Sequence, residues 1–166
     1  MITQARLKAL FEYNQETGVF INRTDRHYKT PAGSIAGTFS GHGYCYICID
    51  GKKRLAHRLV WLYMTGTWPE FEIDHKDGDI YNNAWDNLRE ATHFDNMSNR
   101  AQVLGTSGFR GVSYDKRREL YSANIQSYNV TRFLGYYKTA EEASCIYEEA
   151  AKAVHGEFAF HTRTNQ

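Results

Sequence analysis

The chain has 166 residues, a length that suggests one ordinary domain or two small ones. Apolar residues make up 42% of it and charged residues 23%, which excludes a wholly disordered or collagen-like chain. No apolar run approaches the roughly 18 residues that a membrane-spanning helix needs, and the first residues lack the apolar core of a signal peptide. We therefore expect a cytoplasmic protein with no membrane partner.

Charged side chains are unevenly distributed along the chain, although the net charge is only +1. Residues 109–138 are rich in Lys and Arg, whereas residues 140–157 are rich in Glu. The two segments cancel in the sum but need not cancel in space. This pattern predicts a basic face and an acidic face in the second half of the chain.

The first half of the chain alternates short predicted helices and strands. In chain order these are a helix over 3–13, strands over 19–21, 44–50 and 54–56, and a helix over 57–65 that stops at Gly66. Cys45 and Cys48 have the spacing of half a zinc site, but side chains three apart on a strand point to opposite faces. We therefore expect small packed side chains there rather than zinc ligands.

Residues 72–100 carry a pattern that indicates chemistry. The pattern predicts a strand at 72–75, a polar loop, a second strand at 88–91 and a helix to about Arg100. Such a unit brings together four polar side chains, which are Asp74, His75, Asn87 and Asn96. Carboxylate and amide oxygens suit Mg²⁺ or Mn²⁺ rather than zinc, and a histidine outside the metal shell can act as a general base near neutral pH.

A series of motifs between residues 7 and 100 matches one known family in residue type and spacing. The motifs are Leu7-x-x-Leu10-Phe11-x-Tyr13, Thr17-Gly18-Val19-Phe20, His57-Arg58-Leu59-Val60-Trp61, Gly66-x-Trp68-Pro69, Ile73-Asp74-His75, Asp77-Gly78-Asp79, Asn82-Asn83, Asn87-Leu88-Arg89, Ala91-Thr92 and Asn96-x-x-Asn99-Arg100. They resemble the HNH homing endonucleases of phages and group I introns. The resemblance implies a nuclease domain over residues 1–100, with a ββα-metal core at about 72–100.

The resemblance also implies a role for each polar residue of that core. His75 would be the general base that deprotonates the attacking water, and Asn87 would hold the active-site loop and thereby orient His75. Asp74 and Asn96 would bind one Mg²⁺ or Mn²⁺ per active site, with Asn96 standing where the family name has its final His. For His57 a phosphate-binding role and a structural role both remain open, and we favour the structural one.

The second half of the chain has a different predicted order of elements. Residues 101–108 have the composition of a linker, and short strands are predicted at 110–114, 121–125 and 132–136. A helix follows, with a capping box at Thr139-Ala140-Glu141-Glu142 and an end at Gly156. We expect the apolar stripe of this helix to cover one face of the three-stranded sheet and to leave the other face open.

This second half resembles a second known family. The matching motifs are Phe109-Arg110-Gly111-Val112, Tyr121-x-Ala123-x-Ile125, Leu134-Gly135-x-Tyr137-x-Thr139-Ala140-Glu141-Glu142-Ala143, Tyr147-x-x-Ala150-Ala151 and Gly156-x-Phe158-Ala159. They are similar to the plant ethylene-response-factor (apetala-two) DNA-binding domain, in which the outer face of the sheet lies in the major groove. The resemblance implies DNA contacts from Arg110, Lys116, Arg117, Tyr121 and Arg132, with Tyr121 at a position where the plant domains usually have Trp.

The sequence as a whole therefore predicts an α+β protein with a nuclease domain at 1–100, a linker at 101–108 and a DNA-binding domain at 109–160. Its expected function is that of a metal-dependent, site-specific endonuclease that acts on double-stranded DNA in a phage-infected or bacterial host cell, as a monomer or weak homodimer. The main alternative is a sequence-specific, transcription-factor-like DNA-binding protein with an inactive nuclease domain. A protein that binds or cleaves RNA is a weaker alternative. The intact Asp74, His75, Asn87 and Asn96 set favours the enzyme.

Overall fold

The computed structural model describes residues 2–27, 30–41, 43–98, 107–128 and 130–159. The chain forms two compact units, Met1–Thr92 and His93–Gln166. The α+β class expected from the sequence is confirmed, because small antiparallel sheets and short helices alternate along the chain. None of the helices in the described ranges has the length and apolar character needed to cross a membrane.

Within the described residues, the first unit contains two α-helices, two three-stranded sheets and a two-stranded hairpin. The elements are α1 (Gln4–Leu10), β1 (Phe11–Asn14), β2 (Val19–Asn22), β3 (Ile35–Ala36), β4 (Thr38–Phe39), β5 (Cys45–Ile49), β6 (Lys52–Leu55), α2 (Ala56–Thr65), β7 (Glu72–His75) and β8 (Leu88–Ala91). The strand orders are β1–β2–β3 and β4–β5–β6, and β7 pairs with β8.

Helix α1 is shorter than the sequence predicts. It begins at its expected cap, where the Thr3 side chain accepts a hydrogen bond from the Arg6 amide, but it ends at Leu10. The predicted helical residues beyond it form β1, whose alternate residues Phe11 and Tyr13 are buried. The prediction of a helix up to Tyr13 was therefore wrong, because pairing with β2 overrides the local helical spacing.

One hydrophobic core holds the elements of the first unit together. Its side chains with the lowest exposure include Leu7, Phe11, Phe20, Ile49 and Leu59. The rings of Phe11 and Phe20 meet edge to face at 5.9 Å, and full burial of such a side chain contributes about 1.5–3 kcal/mol. Ile73 and Leu88 belong to the same core, so the β7–β8 hairpin is fixed to the rest of the unit.

The second unit contains a three-stranded antiparallel meander packed on one long helix, as expected. Its elements are α3 (His93–Ser98), β9 (Val112–Asp115), β10 (Leu120–Ser127), β11 (Val130–Tyr137) and α4 (Ala140–His155). The predicted capping box at the start of α4 is present, with Thr139 and Glu142 bonding each other's backbone amides. Ala143 and Tyr147 of α4 pack on strand residues such as Val112 and Ile125.

Helix α3 belongs to the second unit, whereas the sequence places it in a domain that extends to residue 100. In that unit the ring of Phe94 of α3 lies 5.1 Å from the ring of Tyr128, which follows β10. Residues 99–106, which include most of the expected linker and the end of the predicted helix, lie outside the described residues.

Candidate active site and nucleic-acid interface

The β7–β8 hairpin places Asp74 and His75 at the end of one strand. Asp74 pairs with Arg89 across the hairpin and His75 pairs with Leu88. Both polar side chains are only 4% exposed. A buried acid and a buried imidazole need specific partners, because each is costly to remove from water when uncompensated.

The partner of Asp74 is its neighbour across the strands. Arg89 donates from Nε to Asp74 Oδ2 over 2.8 Å, and its Nη2 lies 2.8 Å from the same oxygen. The arginine side chain is 10% exposed, so this is an ion pair with little access to solvent. Arg89 therefore holds the Asp74 side chain in place at the position where the sequence predicts a metal ligand.

The ring of His75 is held by Asn83, a residue that the sequence analysis did not assign. Nε2 of His75 lies 3.3 Å from Oδ1 of Asn83, whose Nδ2 donates in turn to the carbonyl of Tyr81. Because the amide oxygen faces the ring, Nε2 carries the proton and the basic lone pair is on Nδ1. Asn83 thus fixes both the position and the tautomer of His75.

A buried tyrosine, Tyr13, holds Asn83 in place. Tyr13 donates its hydroxyl hydrogen to the Asn83 carbonyl oxygen over 2.8 Å. Burial, followed by the nearby charge of Asp86, raises the pKa of Tyr13, so the hydroxyl stays protonated and remains a donor. The hydrogen-bonded series from Tyr13 through Asn83 to His75 joins the first sheet to the candidate base.

Asn87 closes the polar loop between β7 and β8. Its Nδ2 donates to Asp77 Oδ1 over 2.9 Å and to the Asn82 carbonyl over 2.8 Å, while its Oδ1 accepts from the Asp77 amide over 3.1 Å. Burial opposes ionisation of Asp77, but hydrogen bonds from Asn82, the Asp79 amide and Asn87 outweigh it and lower the pKa of Asp77. Asn87 therefore acts on the loop, and the side-chain hydrogen bond to His75 comes from Asn83.

His57, at the start of α2, packs against His75. It is 5% exposed, and its ring stands edge-on to that of His75 at 5.3 Å, with Tyr44 at 5.5 Å. Burial, followed by the charges of His75 and Arg58, lowers the pKa of His57 to about 3. A neutral, buried ring of this kind supports the structural interpretation of His57 over phosphate binding.

Burial also lowers the pKa of His75, although the hydrogen bond to Asn83 and the nearby Asp74, Asp77 and Asp79 act in the opposite direction. The imidazole is therefore neutral near pH 7, as a proton acceptor must be.

Asn96, the second predicted metal ligand, lies half-buried on α3 in the second unit, while Asp74 belongs to the first. No cluster of three or more His, Cys, Asp or Glu side chains suited to a metal occurs among the described residues. A metal held here would therefore rely on few protein carboxylates. The carboxylate of Asp74 is a hard oxygen donor of the kind that Mg²⁺ and Mn²⁺ prefer.

The open face of the second unit's sheet is aromatic. Ser113, Ser122 and Tyr136 form one cross-strand row on it, opposite in direction to the buried Ala123. Phe133 joins this face, because its ring lies 4.9 Å from that of Tyr136. The guanidinium of Arg118 lies 5.0 Å from the centre of the Tyr136 ring.

The five residues predicted to contact DNA do not share that face. Lys116 and Arg117 are exposed in the β9–β10 turn, where Asp115 accepts a hydrogen bond from the Arg117 amide. Tyr121 differs from expectation, since it is partly buried against Val112 and Ala123 on the helix-facing side.

Arg132 is exposed, but its pairing with β10 places it on the side of the sheet that faces the helix. A β-bulge between β10 and β11 reverses the alternation of side chains, so Arg132 pairs with the buried Ile125. Arg110 precedes β9, hydrogen-bonds Tyr147 of α4 and lines a cavity of about 560 Å³ within the second unit. Phe133, Tyr136 and Arg118 are thus open-face residues that the sequence analysis missed, and the bulge that turns Phe133 outward leaves no local signal.

Comparisons with known proteins identify the family of the chain. Residues 54–98 match a family model described as HNH endonuclease. An uncharacterized HNH endonuclease of Acanthamoeba polyphaga mimivirus is 32% identical over 133 residues, which cover 79% of this chain and 69% of that protein. Protein 3.8 of Escherichia phage T7 is 32% identical over 110 residues, covering 65% of this chain and 90% of that protein. The chain belongs to the HNH endonuclease family.

One solved structure is also similar, that of the HNH homing endonuclease I-HmuI, reported for its DNA binding and cleavage. The match has 26% sequence identity and a TM-score of 0.41, and it covers 56% of this chain. The chain spans about half the length of that protein, since the match covers 54% of it.

Proposed function

We propose that the protein is a metal-dependent DNA endonuclease that hydrolyses a phosphodiester bond of duplex DNA with His75 as the general base. The observation that carries the proposal is the hydrogen bond from His75 Nε2 to Asn83 Oδ1, which leaves the basic lone pair on Nδ1. Burial keeps the ring neutral. A neutral histidine with a fixed tautomer is suited to take a proton from an attacking water.

The surrounding residues would serve that proton transfer by position. Asn83 holds the His75 ring, Tyr13 holds Asn83, and Asn87 closes the loop that carries Asn83. Holding reacting groups in one geometry removes much of the entropic cost of the reaction.

Asp74, and on the family resemblance Asn96, would hold one Mg²⁺ or Mn²⁺. When bound, such an ion supplies Lewis-acid stabilisation of the scissile phosphate and of the leaving oxygen. The hard oxygen donors and the negative charge of the nearly buried Asp74 fit this ion.

The proposal predicts that the full chain relaxes supercoiled plasmid DNA when Mg²⁺ or Mn²⁺ is present and does not when EDTA is added. The assay is gel electrophoresis of plasmid over a time course. Restoring Mg²⁺ in excess of EDTA should restore relaxation, which controls for loss of protein. Full activity in EDTA would contradict the metal requirement, and retention of DNA without cutting under any metal would favour a binding protein with an inactive nuclease domain.

We further propose that the second unit is an ethylene-response-factor-like domain that binds duplex DNA. Its three-stranded sheet, packed on an acidic helix, supports this, as do the exposed basic β9–β10 turn and the open face with Arg118 above Tyr136. A stacked arginine beside exposed aromatic rings suits nucleic acid, because the rings offer apolar contact and the guanidinium offers charge.

The turn lysine and arginine provide a quantitative test. A double variant, Lys116→Met with Arg117→Met, should flatten the dependence of log K on log salt by about two units of slope, because each lost phosphate contact releases about one counterion fewer. The measurement is the affinity of the full chain for a short duplex at several NaCl concentrations. Lys152→Met removes an exposed lysine from the acidic helix of the same unit and should leave the slope unchanged. An unchanged slope in the double variant would remove the turn from the DNA interface.

A further inference from the structure

The ion pair between Arg89 and Asp74 has a consequence for metal binding. Both contacts of the guanidinium, from Nε and Nη2, reach Asp74 Oδ2 at 2.8 Å. The two side chains are 10% and 4% exposed, so solvent and salt screen them poorly. The carboxylate that is proposed to hold a divalent ion therefore already has a cation beside it.

A divalent ion on Asp74 would share one carboxylate with this guanidinium. Like charges in a poorly solvated site repel strongly, and the carboxylate supplies only one negative charge against three positive ones. A phosphate group changes that balance, because a guanidinium binds phosphate oxygens with strong charge-assisted hydrogen bonds. The backbone of duplex DNA supplies such phosphates.

We propose that Arg89 is the resident counter-cation of Asp74, which opposes binding of a divalent ion to the protein alone and makes metal binding depend on the phosphates of duplex DNA. Without metal, Arg89 keeps the buried carboxylate in place. With DNA bound, a phosphate offsets the positive charge of Arg89, and the ion binds more tightly. Metal and DNA then strengthen each other's binding by the same factor. The inference rests on the proposed role of Asp74 as a metal ligand.

If Arg89 instead supports Asp74 as a metal ligand, removing Arg89 should change the metal affinity in the opposite direction. Carboxylates that ligate metals are often held by hydrogen-bonding partners, and loss of such a partner typically weakens metal binding 10–100-fold. If Arg89 only supports Asp74, its removal weakens metal binding, whereas removal of a competing cation strengthens it.

The experiment measures Mn²⁺ binding rather than cleavage. Free Mn²⁺ is titrated by electron paramagnetic resonance against the full chain, with and without a short duplex, in a His75→Ala background that slows cutting. Arg89→Met should bind Mn²⁺ at least tenfold tighter than the Arg89 protein when DNA is absent. The gain in affinity on adding DNA should be at least tenfold with Arg89 present and clearly smaller in Arg89→Met.

Two further variants control for charge and folding. Arg6→Met also removes one positive charge and one ion pair in the same unit, but at an exposed site, and should leave Mn²⁺ affinity unchanged. Arg89→Lys keeps the charge and should bind Mn²⁺ as weakly as the Arg89 protein. Should Arg89→Met fail to fold, the Mn²⁺ affinity of the Arg89 protein with and without DNA still tests the inference, because equal affinity would overturn it.

Weaker or unchanged Mn²⁺ binding in folded Arg89→Met would overturn the inference, and so would equal affinity with and without DNA in the Arg89 protein. These outcomes are separable from the proposed function. Metal-dependent nicking that requires His75, combined with unchanged Mn²⁺ affinity in Arg89→Met, would overturn the inference alone. Tighter Mn²⁺ binding in Arg89→Met, with no nicking by the unaltered chain, would overturn the proposed activity and leave the inference standing.

Discussion

Replacing His75 with alanine should lower the rate of plasmid relaxation by a factor of about 10²–10⁴, the usual contribution of a positioned general base. The loss should fall on the chemical step, because the structure holds His75 through Asn83 in a tautomer that presents the basic Nδ1. The measurement is the initial rate of relaxation at saturating Mg²⁺.

An exposed histidine of the same unit serves as the matched control for this variant. His27→Ala should relax plasmid at the rate of the unaltered chain, since His27 lies on the surface and belongs to neither the β7–β8 hairpin nor its polar loop. Thermal unfolding of His75→Ala distinguishes a lost base from a lost fold. Full activity in folded His75→Ala would remove His75 from the chemistry.

Much of the first unit could be predicted from the sequence because its signals are local. The β7 and β8 strands and the end of α2 at Gly66 follow from composition and turn residues, and Gly66 adopts the left-handed conformation that such an end requires. The end of α1 could not be predicted in this way. Phe11 fits a helical stripe with Leu7 as well as it fits a strand, and only pairing with β2 decides between them.

The candidate site shows the same division between local and non-local information. Asp74 and His75 stand out by type and spacing, but their partners are set by cross-strand register and loop hydrogen bonds. Arg89 becomes the partner of Asp74 only when β7 and β8 pair in one particular register. Asn83 appears in sequence as an ordinary turn residue, and its contact with His75 depends on how the loop folds back.

In the second unit, the bulge limits what the sequence can predict. The three strands and the capped helix are visible, but the faces of β11 cannot be assigned by simple alternation. Leu134 is the extra residue of β11 at the bulge, opposite Ala123 and Asn124. It packs on the core, and Phe133 points outward. Side chains upstream of a bulge reverse their faces, so Arg132, which the resemblance places among the DNA contacts, lies on the helix-facing side.

A second large effect is expected at Gly18, which supports the site from the β1–β2 turn. Gly18 has φ +73°, and a Cβ on it would collide with the carbonyl carbon of Asn83 and the nitrogen of Ala84. Gly18→Ala should therefore destabilise the protein by about 2–5 kcal/mol, the sum of about 1–2 for left-handed backbone and about 1–3 for overpacking. Chemical denaturation of the full chain measures this loss.

Gly33→Ala separates the two costs, because Gly33 has φ +82° but no atom within 4 Å of the added Cβ. It should lose only the backbone cost of about 1–2 kcal/mol and relax plasmid normally. Gly18→Ala should in addition slow relaxation by about 10²-fold, because a shift of Asn83 displaces the ring of His75 and small misplacements of reacting groups carry costs of that order. Equal stability and equal activity of the two variants would show that the segment at Asn83 moves aside freely and that the packing of Gly18 does not position the base.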